Sequence, residues 1–202
     1  MSARDDILGA IRRRRVPPAP RPDAYPPPAS EGDPVERFSG MATRAAAEMR
    51  VLGSAADIPE AIADILRARN LPADIHFPPD AALADLDWQR AAGLTLKTSP
   101  PGPDDAAVTR APFAISETGT LAYPAAENEP ASWHFRPGLE IAVLHAADIL
   151  PDMESVLARV KATGLPPTLN FVTGPSRTGD IEQTLELGAH GPKALSILIV
   201  KP

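Results

Sequence analysis

Two apolar runs limit the fold of this chain more than any other feature: the stretch from Glu140 to His145 and the unbroken run from Ala194 to Val200. A strand with one wet face alternates polar and apolar residues, whereas a strand covered on both faces reads as a continuous apolar run. Both runs therefore read as buried strands. Between them, Pro151 opens a helix whose face is Met153, Val156, Leu157 and Val160, Thr168 to Thr173 reads as a strand, and Asp180 to Leu187 reads as a helix. Upstream, residues 34 to 50 place Val35, Phe38, Met41 and Ala45 on one helical face, and Val51 and Leu52 open a short strand. A second helical stripe holds Ile62, Ile65 and Leu66 and ends by Leu71-Pro72. Further strands are expected at Ile75 and Phe77, at 94 to 96, and as a pair over 112 to 123 broken at Ser116-Glu117-Thr118-Gly119. Ser99 to Asp105 reads as a surface loop and 124 to 137 as polar and irregular. Strands alternating with helices predict an α/β fold with a mostly parallel sheet covered on both faces.

The first 33 residues stand apart. Ser2 is placed to cap a short helix with Ile7, Leu8 and Ile11 on one face, and Arg12 to Arg15 at its end complement the helix dipole. Residues 16 to 34 then hold eight of the 25 prolines and no core set. Such a segment is extended and stiff in its Pro-Pro steps. The expected organisation is a helical arm over 1–15, a proline-rich linker over 16–33 and an α/β domain over 34–202.

Composition narrows the function. A formal net charge of −6 disfavours nucleic acid as the main partner, because neutralising phosphates needs a basic surface. The chain has no cysteine, so it holds no disulfide, no zinc–thiolate site, no cysteine-ligated iron–sulfur cluster and no cysteine nucleophile. His76, His134 and His145 show no spacing that suggests a metal site, and none is expected. The start has no apolar core of signal-peptide length and no run is long enough to span a bilayer, so a cytoplasmic location is expected.

Three segments have the residues for chemistry. The sharpest runs from Thr173 to Glu182, following the apolar LNFV. If a helix opens there, its free N–H groups favour an anion, with Gly174 allowing close approach, Ser176 and Thr178 adding hydroxyls and Arg177 forming a two-donor fork. The same residues also suit a plain helix cap, with Asp180 and Glu182 in its first turn. In the second segment, 114 to 121, Gly119 permits close backbone approach, and the hydroxyls of Ser116, Thr118 and Thr120 are placed to orient Glu117, a candidate acid or base. The third is Gly188-Ala189-His190-Gly191-Pro192, where His190 is a second candidate for proton transfer. His134 sits in the polar-aromatic string Trp133-His134-Phe135-Arg136, which reads as a lid or a contact surface.

Read together, FAISETGTL (113–121), FVTGPSRTGDIEQTLELGAHGP (171–192) and LSILIV (195–200) resemble the lactate-utilization protein C (LUD-domain) family. The resemblance is strong over 112–200 and loose over 34–111. It departs at Phe135-Arg136-Pro137-Gly138, where the family has a Leu-Pro-Pro-like step, and at Pro112, where it has a glycine-rich lead-in. It implies a Rossmann-like three-layer αβα sandwich related to the sugar-phosphate isomerase and CoA-transferase superfamily. It also implies a subunit of a system that oxidises L-lactate to pyruvate beside two partner proteins carrying iron–sulfur clusters. The ligand is expected at the 174–178 turn, as a small carboxylate or a nucleotide-like molecule. The alternative is a non-catalytic assembly or regulatory subunit of the same system. The sequence names no cofactor.

Overall fold

The computed structural model describes residues 3–14, 20, 32–127, 130–179, 185–187 and 191–201. Six parallel strands form the main sheet: β1 (Glu48–Leu52), β2 (Asp74–His76), β3 (Thr95–Lys97), β4 (Ala106–Ala111), β7 (Leu139–His145) and β12 (Ala194–Val200). Their order is β1-β12-β7-β4-β2-β3, so the two most apolar strands lie side by side at its centre. A second sheet orders β8 (Ile149–Leu150), β5 (Phe113–Ile115), β6 (Thr120–Pro124) and β9 (Leu169–Val172). The helices are α1 (Ala3–Arg13), α2 (Pro34–Arg44), α3 (Ile58–Ala68), α4 (Ala81–Ala84), α5 (Ser132–Phe135) and α6 (Met153–Thr163).

The alternation of side chains along β7 and β12 divides the core in two. Ile141, Val143, Leu198 and Val200 face α3, whose Ile62 and Leu66 are fully covered. Ala142, Leu144, Ile197 and Ile199 face the other way, onto Phe38 and Ala42 of α2 and onto Leu121 and Val172 of the second sheet. The outer face of that second sheet is closed by α6, where Val156 and Val160 pack on Ile115 and Ala122. The α/β layering expected from sequence is present, with the small sheet inserted between the main sheet and α6. Only half of the apolar stripe expected on α6 is used, since Met153 and Leu157 are exposed.

Local chemistry sets the element ends. Asp33 caps α2, its Oδ1 accepting from the Val35 N–H at 2.9 Å, and Pro34 supplies a first residue that needs no hydrogen bond. Asp152 caps α6 in the same way, accepting from the Ser155 N–H at 2.7 Å. At the β2–β3 edge, Lys97 Nζ donates to Asp74 at 2.7 Å. That bond holds the Asp74 carboxyl below the usual carboxylate range and lifts the Lys97 ammonium above its own.

The helix expected over Asp180 to Leu187 is not what forms where the chain is described. Leu185–Leu187 is a strand, β11, paired antiparallel with Arg177–Gly179, β10, in the register Arg177 to Leu187 and Gly179 to Leu185. Ile181 and Leu185 suit a helix by their spacing, yet Leu185-Glu186-Leu187 alternates with the period of a strand, and pairing with the preceding segment satisfies its backbone. Strand β4 was not read from the sequence at all.

Helix α1 forms as expected from its periodicity, but none of its residues is buried, and Ile7 and Ile11 are each 61% exposed. Ser2 and most of the proline-rich linker lie outside the described residues. The arm therefore contributes nothing to the two core faces. Removing residues 1–32 is expected to leave a cooperative unfolding transition with an unchanged midpoint in urea. Extending the deletion through Asp33 removes the α2 cap and is expected to cost about 1 kcal/mol. Loss of cooperativity on the first deletion would show that the arm is part of the folded unit.

Candidate functional site

The two polar turns singled out in the sequence meet on the last turn of α2. The β5–β6 hairpin pairs Ile115 with Thr120, which leaves Ser116 to Gly119 as its turn, and β6 pairs Leu121 with Val172 of β9. The end of β9 is thereby brought beside that turn, and Thr120 Oγ1 lies 2.7 Å from Thr173 Oγ1. Thr118 Oγ1 continues the chain of hydroxyls, 2.7 Å from Thr120 Oγ1. Gly119 and Gly174 both have positive φ, 69° and 74°. A Cβ at Gly119 would collide with the backbone of Met41 and Ala42, and one at Gly174 with the Ala45 carbonyl. These two glycines are what lets the small sheet sit against the helix backbone.

The hydroxyls do not orient Glu117. Ser116 is fully buried, and its backbone N–H donates to the Leu150 carbonyl at 2.8 Å and its hydroxyl to the Pro151 carbonyl at 3.3 Å. Thr118 and Thr120 bond to each other, and Thr120 bonds to Thr173. Glu117 is exposed, and its backbone N–H donates to the Pro151 carbonyl at 3.1 Å.

Beyond Thr173 the chain turns through Gly174 and Pro175, and the Ser176 N–H donates to the Pro192 carbonyl at 2.9 Å. Gly191 packs on Ser176, where an added Cβ would lie 3.1 Å from the serine Cβ. The result is a recess of about 170 Å³ lined by Phe135, Phe171, Thr173, Gly174, Ser176 and Gly191. Pockets for drug-sized ligands are roughly 300–1,000 Å³, so this one suits a small organic acid better than a nucleotide. Arg177 follows directly, exposed and without an ion pair to a described residue. Thr178 is described only through its backbone pairing with Glu186. Asp180, Glu182 and His190 lie outside the described residues.

The recess does not lie at the carboxyl edge of the main sheet. Open parallel sheets bind ligands at their carboxyl edge. Here β9 belongs to the small sheet, and the turn after it abuts Ala45, just ahead of β1, and Pro192, just ahead of β12. Those are the amino ends of parallel strands. No helix starts at Arg177, and the helix terminus nearest the turn is the carboxyl end of α2, which carries partial negative charge. An anion in this recess therefore gains nothing from a helix N-terminus among the described residues, and the exposed Arg177 is a cation at hand.

A second polar cluster lies behind the recess. Glu140 on β7 is fully buried, and its Oε1 accepts from Thr109 Oγ1 at 2.8 Å and from Tyr123 OH at 3.0 Å and lies 3.1 Å from His134 Nδ1. The Tyr123 and His134 rings stack with centroids 3.7 Å apart. The sequence signal was a single carboxylate at the head of an apolar strand. Its partners come from β4, β6 and α5, which only the tertiary fold brings together. Among the described residues no group of three or more histidines and acids is placed to hold a metal ion.

With this geometry in view, comparison with known proteins is informative. Residues 104–200 match the model of the LUD domain, a span that holds both turns and the Glu140 cluster. The chain is 31% identical over 127 residues to a lactate utilization protein C of Bacillus licheniformis, covering 60% of this chain and 49% of that protein. It is also 31% identical over 91 residues to the same-named protein of Geobacillus thermodenitrificans, covering 43% and 38%. The matched stretch thus spans less than half the length of these relatives. An uncharacterized protein of Neisseria meningitidis serogroup B is similar from end to end, 27% identical and covering 100% of this chain and 95% of its own. The crystal structure of a DUF162 family protein from Deinococcus radiodurans shares the fold, with a TM-score of 0.62 at 23% identity over 86% of this chain and 99% of that one.

The close approach of both turns to α2 gives a sharp test. Gly174→Ala places a methyl group against the Ala45 carbonyl at a backbone conformation that alanine disfavours, and is expected to destabilise by about 2 kcal/mol or more. Gly53→Ala, where nothing lies within 4 Å of the new methyl group, is expected to be near neutral. Equal urea midpoints for the two variants would refute the packing described here.

Proposed function

Because residues 104–200 place this chain in the LUD-domain family, we propose that it serves lactate utilization as a subunit that binds a small anionic ligand at the 174–178 turn. The observation that carries this reading is the small recess beside Thr173, Gly174 and Ser176, with an exposed arginine, paired with no described residue, immediately after it. Ser176 and Thr173 offer hydroxyls at its wall, and Arg177 offers two parallel donors to a carboxylate. The volume favours a small carboxylate over a nucleotide-like ligand. With no cysteine of its own, the chain cannot hold a thiolate-ligated iron–sulfur cluster, so any electron transfer runs through partner proteins with such clusters or through another cofactor. Glu117 and His190 are the proposed proton donors or acceptors.

One observation favours the assembly reading beside the binding one. Helix α1 carries Ile7 and Ile11 exposed on one face and arginines at its end, which suits docking onto another protein of the system better than any role at the recess. The two readings are compatible, since the arm and the recess share no residue.

Arg177 is the residue to change. Its exposure means that Arg177→Ala should leave the melting temperature unchanged within a degree or two. Loss of a charge-assisted bond of about 1.5–3 kcal/mol should weaken carboxylate binding roughly ten- to a hundredfold. Arg177→Lys should recover only part of that, because an ammonium does not reproduce the planar fork. The readouts are calorimetric titration with L-lactate and pyruvate, and growth on lactate of cells carrying each variant. Unaltered binding and growth in Arg177→Ala would remove the turn from the function.

A further inference from the structure

Glu140 is in an expensive position. It has no exposed surface, and in register it lies between Leu195 of β12 and Ala107 of β4, both buried and apolar. No lysine or arginine among the described residues pairs with it. Three polar groups converge on Oε1, while Oε2 is buried without a hydrogen-bond partner. A bare carboxylate in such surroundings is costly, and the one group touching it that can bring a positive charge is the His134 imidazole. The other two groups facing it, Thr109 on β4 and Tyr123 on β6, are neutral donors.

The geometry also fixes the chemistry of that imidazole. Beside an ionised Glu140, an Nδ1 atom 3.1 Å from the carboxylate oxygen acts as donor, which leaves Nε2 as the ring nitrogen free to take up a proton. His134 is itself only 1% exposed. It rides on α5, a helix of four residues set between Pro130 and Pro137. The next residue on α5 is Phe135, whose ring meets the His134 ring edge-on at 6.4 Å and forms a wall of the 173–176 recess. The pair thus stands one side chain behind the recess.

We propose that His134 and Glu140 form a proton-linked pair behind the recess, so that a small oxyanion entering it binds with uptake of one proton at His134 Nε2. This deepens the anion-binding reading above and rests on it. An anion in the recess sits near a buried carboxylate and gains nothing from a helix N-terminus, and Arg177 at the rim is exposed. Forming the imidazolium cancels the Glu140 charge at the moment a second negative charge arrives. The step balances simply: a proton from solvent forms the Nε2–H bond, no bond of the ligand breaks, and the imidazolium stays paired with Glu140 through Nδ1–H.

Two measurements test this. The first is nitrogen-15 NMR of the four histidines, with His134 assigned by its loss in His134→Gln. In the unmodified protein above neutral pH, His134 is expected as the Nδ1–H tautomer, and Glu140→Gln is expected to shift it toward Nε2–H. The second is calorimetric titration with L-lactate and with inorganic phosphate in buffers of different ionisation enthalpy. Uptake of about one proton is expected, with affinity falling as pH rises, and both effects should vanish in His134→Gln. Binding by neither probe would sink the anion-pocket reading on which the coupling rests. An Nε2–H tautomer in the unmodified protein overturns the pair itself, whether or not a ligand binds and whether or not Glu140→Gln folds. Binding without proton uptake, or with the same uptake in His134→Gln, overturns the coupling while leaving the pocket in place.

Discussion

The arrangement depends on one close contact, that of the last turn of α2 with two glycines, one in the β5–β6 hairpin and one in the turn after β9. Gly119 and Gly174 lie where a single methyl group would strike the α2 backbone, at Ala42 in one case and Ala45 in the other. Because β6 and β9 pair, the two turns are held at a fixed spacing, and α2 fits across both. That contact seats the small sheet on the main one, covers the face of β12 and β7 that α3 does not reach, and sets the recess beside Thr173. It also explains why residues so far apart in sequence form one short hydroxyl chain, Thr118 to Thr120 to Thr173. The constraint is steric, so side chains of the turns can vary more freely than the two glycines themselves.

Much of the fold was legible because strands with both faces buried have an unmistakable composition. β12 and β7 are read directly from LSILIV and EIAVLH, and the β5–β6 hairpin from its polar turn between apolar runs. β4 was missed because Ala106 to Ala111 is built largely of small residues with Arg110 within it, a poor apolar signal for a strand that is nonetheless covered on both faces. Residues 180–187 read as a helix because Ile181 and Leu185 are spaced by four, while Leu185 and Leu187, in a segment that pairs as a strand, are spaced by two, and local sequence does not decide between the periods. The candidate site was legible in part for the same reason. Proximity of the 116–119 and 174–178 turns follows from sheet pairing that each strand signals locally. Their location at the amino ends of β1 and β12 depends on which sheet β9 joins, and no local pattern records that.

The Glu140 cluster shows the limit most clearly. Its four members come from β4, β6, α5 and β7, at sequence separations of 6 to 31 residues. Each looks ordinary alone: a threonine in a strand, a tyrosine before a proline, a histidine among aromatics, a glutamate heading an apolar run. Their significance comes from burial, which turns an ordinary carboxylate into one that must be compensated.

That compensation bears on how the domain handles an anion at all. Many α/β proteins attract phosphates and carboxylates with a helix N-terminus at the carboxyl edge of the sheet. This recess lies at the opposite edge, against the negative end of α2, so a fixed dipole works weakly against the ligand rather than for it. Positive charge must then come from side chains. Arg177 supplies it from the rim, where solvent screens it. An imidazole buried one residue behind the wall supplies it where screening is least, and only when a proton is present. An anion site built this way discriminates by pH as well as by shape, which a site built on backbone dipoles does not. The same reasoning gives Tyr123 and Thr109 a role that their distance from the recess hides: by donating to Oε1 they offset part of the cost of burying the Glu140 carboxyl beside His134.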